Sequence, residues 1–206
     1  MSRINSWLAC FSTPLLLAAC IQLGRSQAPA TQASGALATP VDITKVFVAS
    51  GFMGDGEKGK QYVQVRPVAG ERPRPGDDDG LTIKITYQAG AVGWAGVYWQ
   101  APAGNWGDQP GKSVRAATKL TFWAAGLKGG EIVEFKSGGI SASGKKYKDS
   151  YEATLGSVGL TKDWKRYEIS LAGKNLASVI GGFAWVATAD ANPGGLTFYL
   201  DNVRFE

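Results

Sequence analysis

The 206-residue chain contains no histidine. That absence removes the commonest general base, and with it Ser-His-Asp and Cys-His chemistry and most catalytic zinc sites. Cysteine is nearly absent as well. The two present, Cys10 and Cys20, both sit close to the N-terminus, so the body of the chain holds no disulfide and no thiol nucleophile. It must be stable through its core alone. No window carries the apolar stripe of a three-turn amphipathic helix; residues 173–180 have room for a single turn. No phosphate-cradling glycine loop and no helical-loop calcium spacing occur. Acidic residues are the minority, 17 against 22 basic ones, for a net charge of +5. The basic residues are spread along the chain, which fits solubility or an acidic polysaccharide better than a nucleic acid.

What is present begins at the N-terminus. Arg3 precedes an uncharged stretch, residues 7–19, that closes on Leu17-Ala18-Ala19-Cys20. A positive start, an apolar segment and small residues before a cut site form an export signal. The segment is too short for a bilayer span, which needs ~20 residues. Leu-Ala-Ala-Cys resembles the lipobox of bacterial lipoproteins. The resemblance implies that Cys20 is lipidated and becomes the first mature residue, with the membrane as a partner through that anchor. Ile21 in place of Asp then implies the outer membrane in a Gram-negative host. A plain secretory signal cut further on is the other reading. Residues 24–40, GRSQAPATQASGALATP, are nearly uncharged and without periodicity. The expected organisation is a signal over 1–19, a flexible tether over 20–40 and one domain over 41–206.

From Val41 the chain turns aromatic, β-branched and rich in glycine. Residues 81–87 alternate cleanly, with Leu81, Ile83, Ile85 and Tyr87 on one face. Segments 62–65, 94–100, 120–123, 132–135, 151–155, 166–171, 182–187 and 196–205 follow the same habit, with a breaker at Pro67-Val68-Ala69-Gly70. Short strands at regular spacing predict an all-β sandwich. In the last strand Phe198 and Leu200 have one parity, Val203 and Phe205 the other. One extra residue near Asp201-Asn202, a bulge, reconciles them.

Chemistry must then come from acids or rings. A carboxylate pair can run a glycosidase, and Asp55, Glu57, Asp108, Glu131, Glu134, Asp149, Glu152, Asp190 and Asp201 are available. Most fall where a solvated face explains them. Asp77-Asp78-Asp79, behind Arg72-Pro73-Arg74-Pro75-Gly76, reads as a turn, because adjacent side chains do not converge on one ion unaided. Lys145-Lys146-Tyr147-Lys148 reads as a solvated loop tip. Six of the seven tryptophans lie between Trp94 and Trp185. Trp94, Tyr98 and Gln100 share one strand parity; Ala95, Val97 and Trp99 share the other, so one set is core. Trp106 stands in a Gly-flanked loop between Asn105 and Asp108. A pyranose covers such a ring while amides and carboxylates take its hydroxyls. The candidate sugar-binding set is therefore Trp94, Tyr98, Gln100, Asn105, Trp106 and Asp108, whereas Trp123, Trp164 and Trp185 are assigned to the core.

The second half carries further signals: Leu120-Thr121-Phe122-Trp123-Ala124, Leu160-Thr161-Lys162-Asp163-Trp164-Lys165-Arg166-Tyr167, Gly182-Phe183-Ala184-Trp185 and Tyr199-Leu200-Asp201-Asn202-Val203. Together these resemble the galactose-binding-domain-like β-sandwiches, among them the non-catalytic carbohydrate-binding modules. The resemblance implies a jelly roll and often one structural calcium near the first and last strands. Asp201 is then a metal carboxylate, with Asp55 or Glu57, from a loop over residues 50–57, as its companion. The expected activity is non-catalytic carbohydrate binding at the cell envelope, with a polysaccharide as partner. The alternatives are a structural or protein-interaction lipoprotein and, further off, a glycan-active enzyme.

Overall fold

A computed structural model describes residues 35–77 and 80–206. The signal, Cys20, most of the tether, Asp78 and Asp79 lie outside the described residues. The end of the expected tether rests on the domain: Leu37 packs against the core and its N–H donates to Ser113 O at 2.8 Å.

The strands are β1 (Val41–Asp42), β2 (Val48–Gly54), β3 (Val63–Ala69), β4 (Leu81–Tyr87), β5 (Trp94–Gln100) and β6 (Lys119–Gly126). They continue as β7 (Ile132–Gly138), β8 (Glu152–Gly159), β9 (Lys165–Ser170), β10 (Gly181–Thr188) and β11 (Leu196–Phe205). One short helix, α1 (Ile43–Val46), is capped by the Asp42 carboxylate, and a 3-10 turn spans Asp55–Lys58. One antiparallel sheet runs β3-β4-β11-β6-β9, with β1 also on β11; the other runs β2-β5-β10-β7-β8. The protein is an all-β, jelly-roll type sandwich. Among the described residues no helix is long and apolar enough to cross a membrane.

Period-two alternation builds the core. Ala95, Val97 and Trp99 of β5 point inward, as do Phe183 and Trp185 of β10, Phe122 of β6 and Phe198 and Leu200 of β11. Their rings interlock across the sheets: Phe122 lies 4.6 Å from Phe135 and 5.2 Å from Phe183, centroid to centroid. The bulge falls where parity demands it. Register shifts between Asp201 and Arg204, Asn202 adopts a φ of 52°, and Val203 and Phe205 turn back into the core.

Three expectations are corrected. Residues 50–54, read as part of a loop, belong to β2, since Gly51 and Met53 pair with Tyr98 and Gly96 of β5. Pro67 does not break its strand: β3 is an edge strand, where a missing N–H costs no ladder bond. Of the three tryptophans assigned to the core, only Trp185 is fully buried. Trp123, on the outer face of β6, and Trp164, in the β8–β9 loop, are half-buried.

Candidate functional site

The outer face of the five-stranded sheet carries the exposed Trp94 and, toward its other end, the half-buried Trp106 and Tyr147. Cross-strand pairing places Gly51, Tyr98, Ala184, Lys136 and Thr154 in one row across it. The next row holds Met53, Gly96, Val186 and Glu134, and Trp94 pairs with Thr188 beyond that. The floor is thus made of small residues near Tyr98. Gly181 has to be one of them, because a Cβ there would meet the Tyr98 ring at 2.7 Å.

Two loops wall one end. The first, residues 101–109, carries Trp106, which is half-buried and packs with Met53 and Tyr147 on the cluster of Tyr98, Ile140, Ile180 and Ala184. The second, residues 139–151, carries Tyr147 and is tied to the first: Tyr147 N donates to Gly107 O at 2.9 Å, and Lys145 Nζ donates to both Asp108 oxygens at 2.6 and 2.8 Å. At the other end of β5, Trp94 is 37% exposed. Four residues of strand separate it from Tyr98, roughly 13 Å. A strip with a ring at each end and a small-residue floor suits a flat ligand longer than one sugar ring. Its charged residues are Lys136, which is 2.9 Å from Glu152 and 4.0 Å from Glu134, so the carboxylates facing the strip share one cation.

Asp149 holds the second loop from beneath. Its carboxylate accepts from Ile140 N at 2.8 Å, from Gly181 N and, closer still, from Ile180 N. Burial pushes its carboxyl up to about 6 against the lowering effect of those backbone donors. Tyr98 donates to Gly138 O at 3.0 Å, and burial, then the charges of Asp149, Glu152 and Glu134, push its hydroxyl up to about 12.

No protein-family model and no curated protein matches the chain. Solved structures do. A family 30 carbohydrate-binding module superposes with a TM-score of 0.55 at 16% identity, over 82% of this chain and 99% of that one. A family 11 module from Clostridium thermocellum, in complex with a β-1,3-1,4-mixed-linked tetrasaccharide, gives 0.52 at 16% identity, over 81% of this chain and 93% of that one. The fold is that of the carbohydrate-binding modules. An exo-β-agarase also matches, at 0.52 and 9% identity, over 80% of this chain but 25% of that one.

Within this module fold the sequence-derived residues separate into two groups. Trp94, Trp106 and Asp108 reach the strip or its rim, whereas Tyr98 is buried beneath Trp106 with its hydroxyl given to Gly138 O, which corrects its assignment as a sugar contact. Gln100 and Asn105 do not reach it, which corrects their assignment as sugar ligands. Gln100 is fully buried, accepting from Ser50 Oγ at 2.9 Å and donating to Asn105 O at 3.0 Å. The Asn105 amide donates to Ala101 O and Gln109 O, and its oxygen accepts from the N–H groups of Gly107, Asp108 and Gln109 at 3.0–3.1 Å. Both amides build the loop that presents Trp106. Sequence reasoning missed Lys136 and Thr154, which strand pairing brings to this face, and Tyr147, which the tie between the two loops brings there.

The candidate metal set does not come together. Asp55 is fully buried and its carboxylate is filled by Tyr87 Oη at 3.1 Å and by the N–H groups of Gly90, Val92 and Gly93. Three of these donors meet on Oδ2 and one takes Oδ1, so the buried carboxylate is committed to holding the 87–93 segment. Burial raises this carboxyl, yet the donors together outweigh it and hold it below its ordinary value. Glu57 is exposed in the 3-10 turn. Asp201 is ion-paired with Arg74 and lies five residues along β11 from Leu196, the partner of Tyr87, roughly 16 Å away. Among the described residues no three acids converge on a metal position, and the residues present do not fit a calcium held by Asp55, Glu57 and Asp201.

A cavity of about 720 Å³ opens on the other sheet, between β3, β4 and the turns at 127–130 and 191–195. Its lining is polar (Gln64, Arg66, Lys84, Thr86), and its one ring, Tyr87, is buried and bonded to Asp55. It offers no stacking surface.

Proposed function

We propose that the protein is a non-catalytic carbohydrate-binding protein that holds a polysaccharide along the outer face of the five-stranded sheet. The observation that carries the reading is the exposed Trp94 and the half-buried Trp106 bounding a floor of Gly51, Gly96 and Ala184. Apolar faces of sugar rings stack on indoles, and directional hydrogen bonds come from the rim. The fold supports the same reading, since one structure that shares it holds a mixed-linked tetrasaccharide. The reading places the protein at the cell envelope, exported and lipid-anchored through Cys20, in the outer membrane of a Gram-negative host. Glu134 and Glu152, the carboxylates facing the strip, act as polar contacts for sugar hydroxyls, with Lys136 held between them.

The test is affinity electrophoresis and calorimetry of the full chain against mixed-linkage β-glucan and a panel of neutral and acidic polysaccharides. Binding that is lost in Trp94→Ala supports the reading. Retention of no polysaccharide overturns it in favour of a structural or protein-interaction lipoprotein. Release of reducing ends from a bound polysaccharide overturns the non-catalytic part.

A further inference from the structure

The bulge in β11 brings two carboxylates and one guanidinium together on the outer face of the six-stranded sheet. Asp201 stands beside Trp123, its register partner on β6. The loop joining β3 to β4 folds back over this face and inserts Arg74. Arg74 Nε donates to Asp201 Oδ2, and its NH2 is 3.8 Å from Asp77 Oδ1. The guanidinium carbon lies 5.1 Å from the centroid of a Trp123 ring. All three charged side chains are nearly dry: Arg74, Asp77 and Asp201 are 11, 10 and 9% exposed. Asp77 Oδ2 is buried and has no hydrogen-bond partner among the described residues.

Two shielded carboxylates repel, and each is costly without a counter-charge. A divalent ion or a protein cation can supply it. Arginine is the protein cation suited to the task, because its planar fork meets carboxylates edge-on while its face stacks on an indole. The loop is built to deliver it. Pro73 and Pro75 flank Arg74 and restrict its backbone. Arg72 anchors the same segment by stacking over Tyr199 at 5.8 Å and donating to Lys162 O. Around the ion pair lies a cavity of about 540 Å³ whose lining includes Asp42, Thr44, Thr82 and Asn202. The cavity leaves room for the water molecules that would complete a six- to eight-coordinate shell around a cation on Asp77 and Asp201.

We propose that Arg74 is a built-in counter-ion occupying the place of a divalent cation at the β11 bulge. The native chain is therefore independent of metal, and removal of Arg74 opens a divalent-cation site on Asp77 and Asp201. The inference rests on this cluster alone and stands whether or not the opposite sheet binds sugar.

Terbium and calcium are the probes, with the full chain as the sample. Trp123, against the guanidinium, would sensitise terbium bound there. Wild type should give no tryptophan-sensitised terbium emission displaceable by calcium, and its melting temperature should be the same in chelator and in millimolar calcium. Arg74→Ala should be destabilised in chelator, regain several degrees in calcium by mass action, and show terbium emission that calcium displaces. Arg74→Lys, which keeps a cation, should stay silent, and Arg74→Ala/Asp201→Asn should lose both responses. The proposal is overturned if wild type melts lower in chelator, or if Arg74→Ala ignores both ions. It is overturned equally if Arg74→Ala fails to fold even in millimolar calcium, or if its emission survives Asp201→Asn.

Discussion

The indole of Trp106 stands edge-on to the ring of Tyr98, with centroids 6.0 Å apart and planes at 84°. One ring of the candidate strip is thus supported by another that belongs to the sheet, whereas Trp94 at the far end has no ring beneath it among the described residues. The two tryptophans should respond differently to truncation.

Trp94→Ala should weaken polysaccharide binding roughly ten- to a hundredfold and change folding stability by no more than ~0.5 kcal/mol. Trp106→Ala should weaken binding and also cost about 2 kcal/mol of stability, below the range for a fully buried tryptophan. Calorimetric titration and urea unfolding of the same samples separate the effects. Equal stability losses at both positions would contradict the geometry.

Asn105 serves five hydrogen bonds of its own loop. Asn105→Ala leaves three backbone N–H groups without their acceptor and should cost ~2–3 kcal/mol, with a fall in affinity as Trp106 loses its support. Asn105→Asp keeps the accepting oxygen but sets a second oxygen against Ala101 O and Gln109 O, so it should not restore the loss. If Asn105→Ala binds polysaccharide poorly at unchanged stability, the amide touches sugar after all.

Asp149 has a native carboxyl pKa raised from 3.8 to about 6. As pH falls from 7 towards 4 the native state takes up this proton before the unfolded chain does, so the group's contribution to stability grows. The gain across that window is on the order of 3 kcal/mol at most. Unfolding midpoints of wild type and Asp149→Asn, compared at pH 7 and pH 4.5, should diverge in favour of wild type at the lower pH. Parallel pH dependence would remove Asp149 from the account.

Asp55 has the opposite sign. Its carboxyl is held below 3.8 in the native state, so its contribution is present above the ordinary carboxylate range and is lost as pH falls through the native value. Asp55→Asn should lower the melting temperature at pH 7, and the deficit should shrink on acidification. A deficit that does not vary with pH would mean that the amide's shape, not the lost charge, accounts for the loss.

Cys20 governs location in the proposed reading. Cys20→Ala should leave the membrane fraction or accumulate as an uncut precursor. A variant that fractionates and migrates like wild type would rule out the lipid anchor.

Alternation in the chain was enough to determine β4, β5 and β11, and to divide β5 into an apolar face (Ala95, Val97, Trp99) and a face with Trp94 and Tyr98. It also placed the bulge, because Phe198 and Val203 cannot both be core without one extra residue between them. These are local facts: side-chain direction along a strand has period two, and any break in parity is written in the sequence. Which strands lie side by side is not local. Lys136, Thr154 and Glu134 share a face with Tyr98 only because β10 sits between β5 and β7. The fate of each polar group was decided at the same level. Gln100, Asn105, Asp55 and Asp201 have the chemistry of ligands for sugar or metal, yet each is consumed within the protein, Asn105 by its own loop and the others by groups brought in from another element. Residue type determines what a side chain can bond to; only the tertiary structure decides whether the protein has already made the bond.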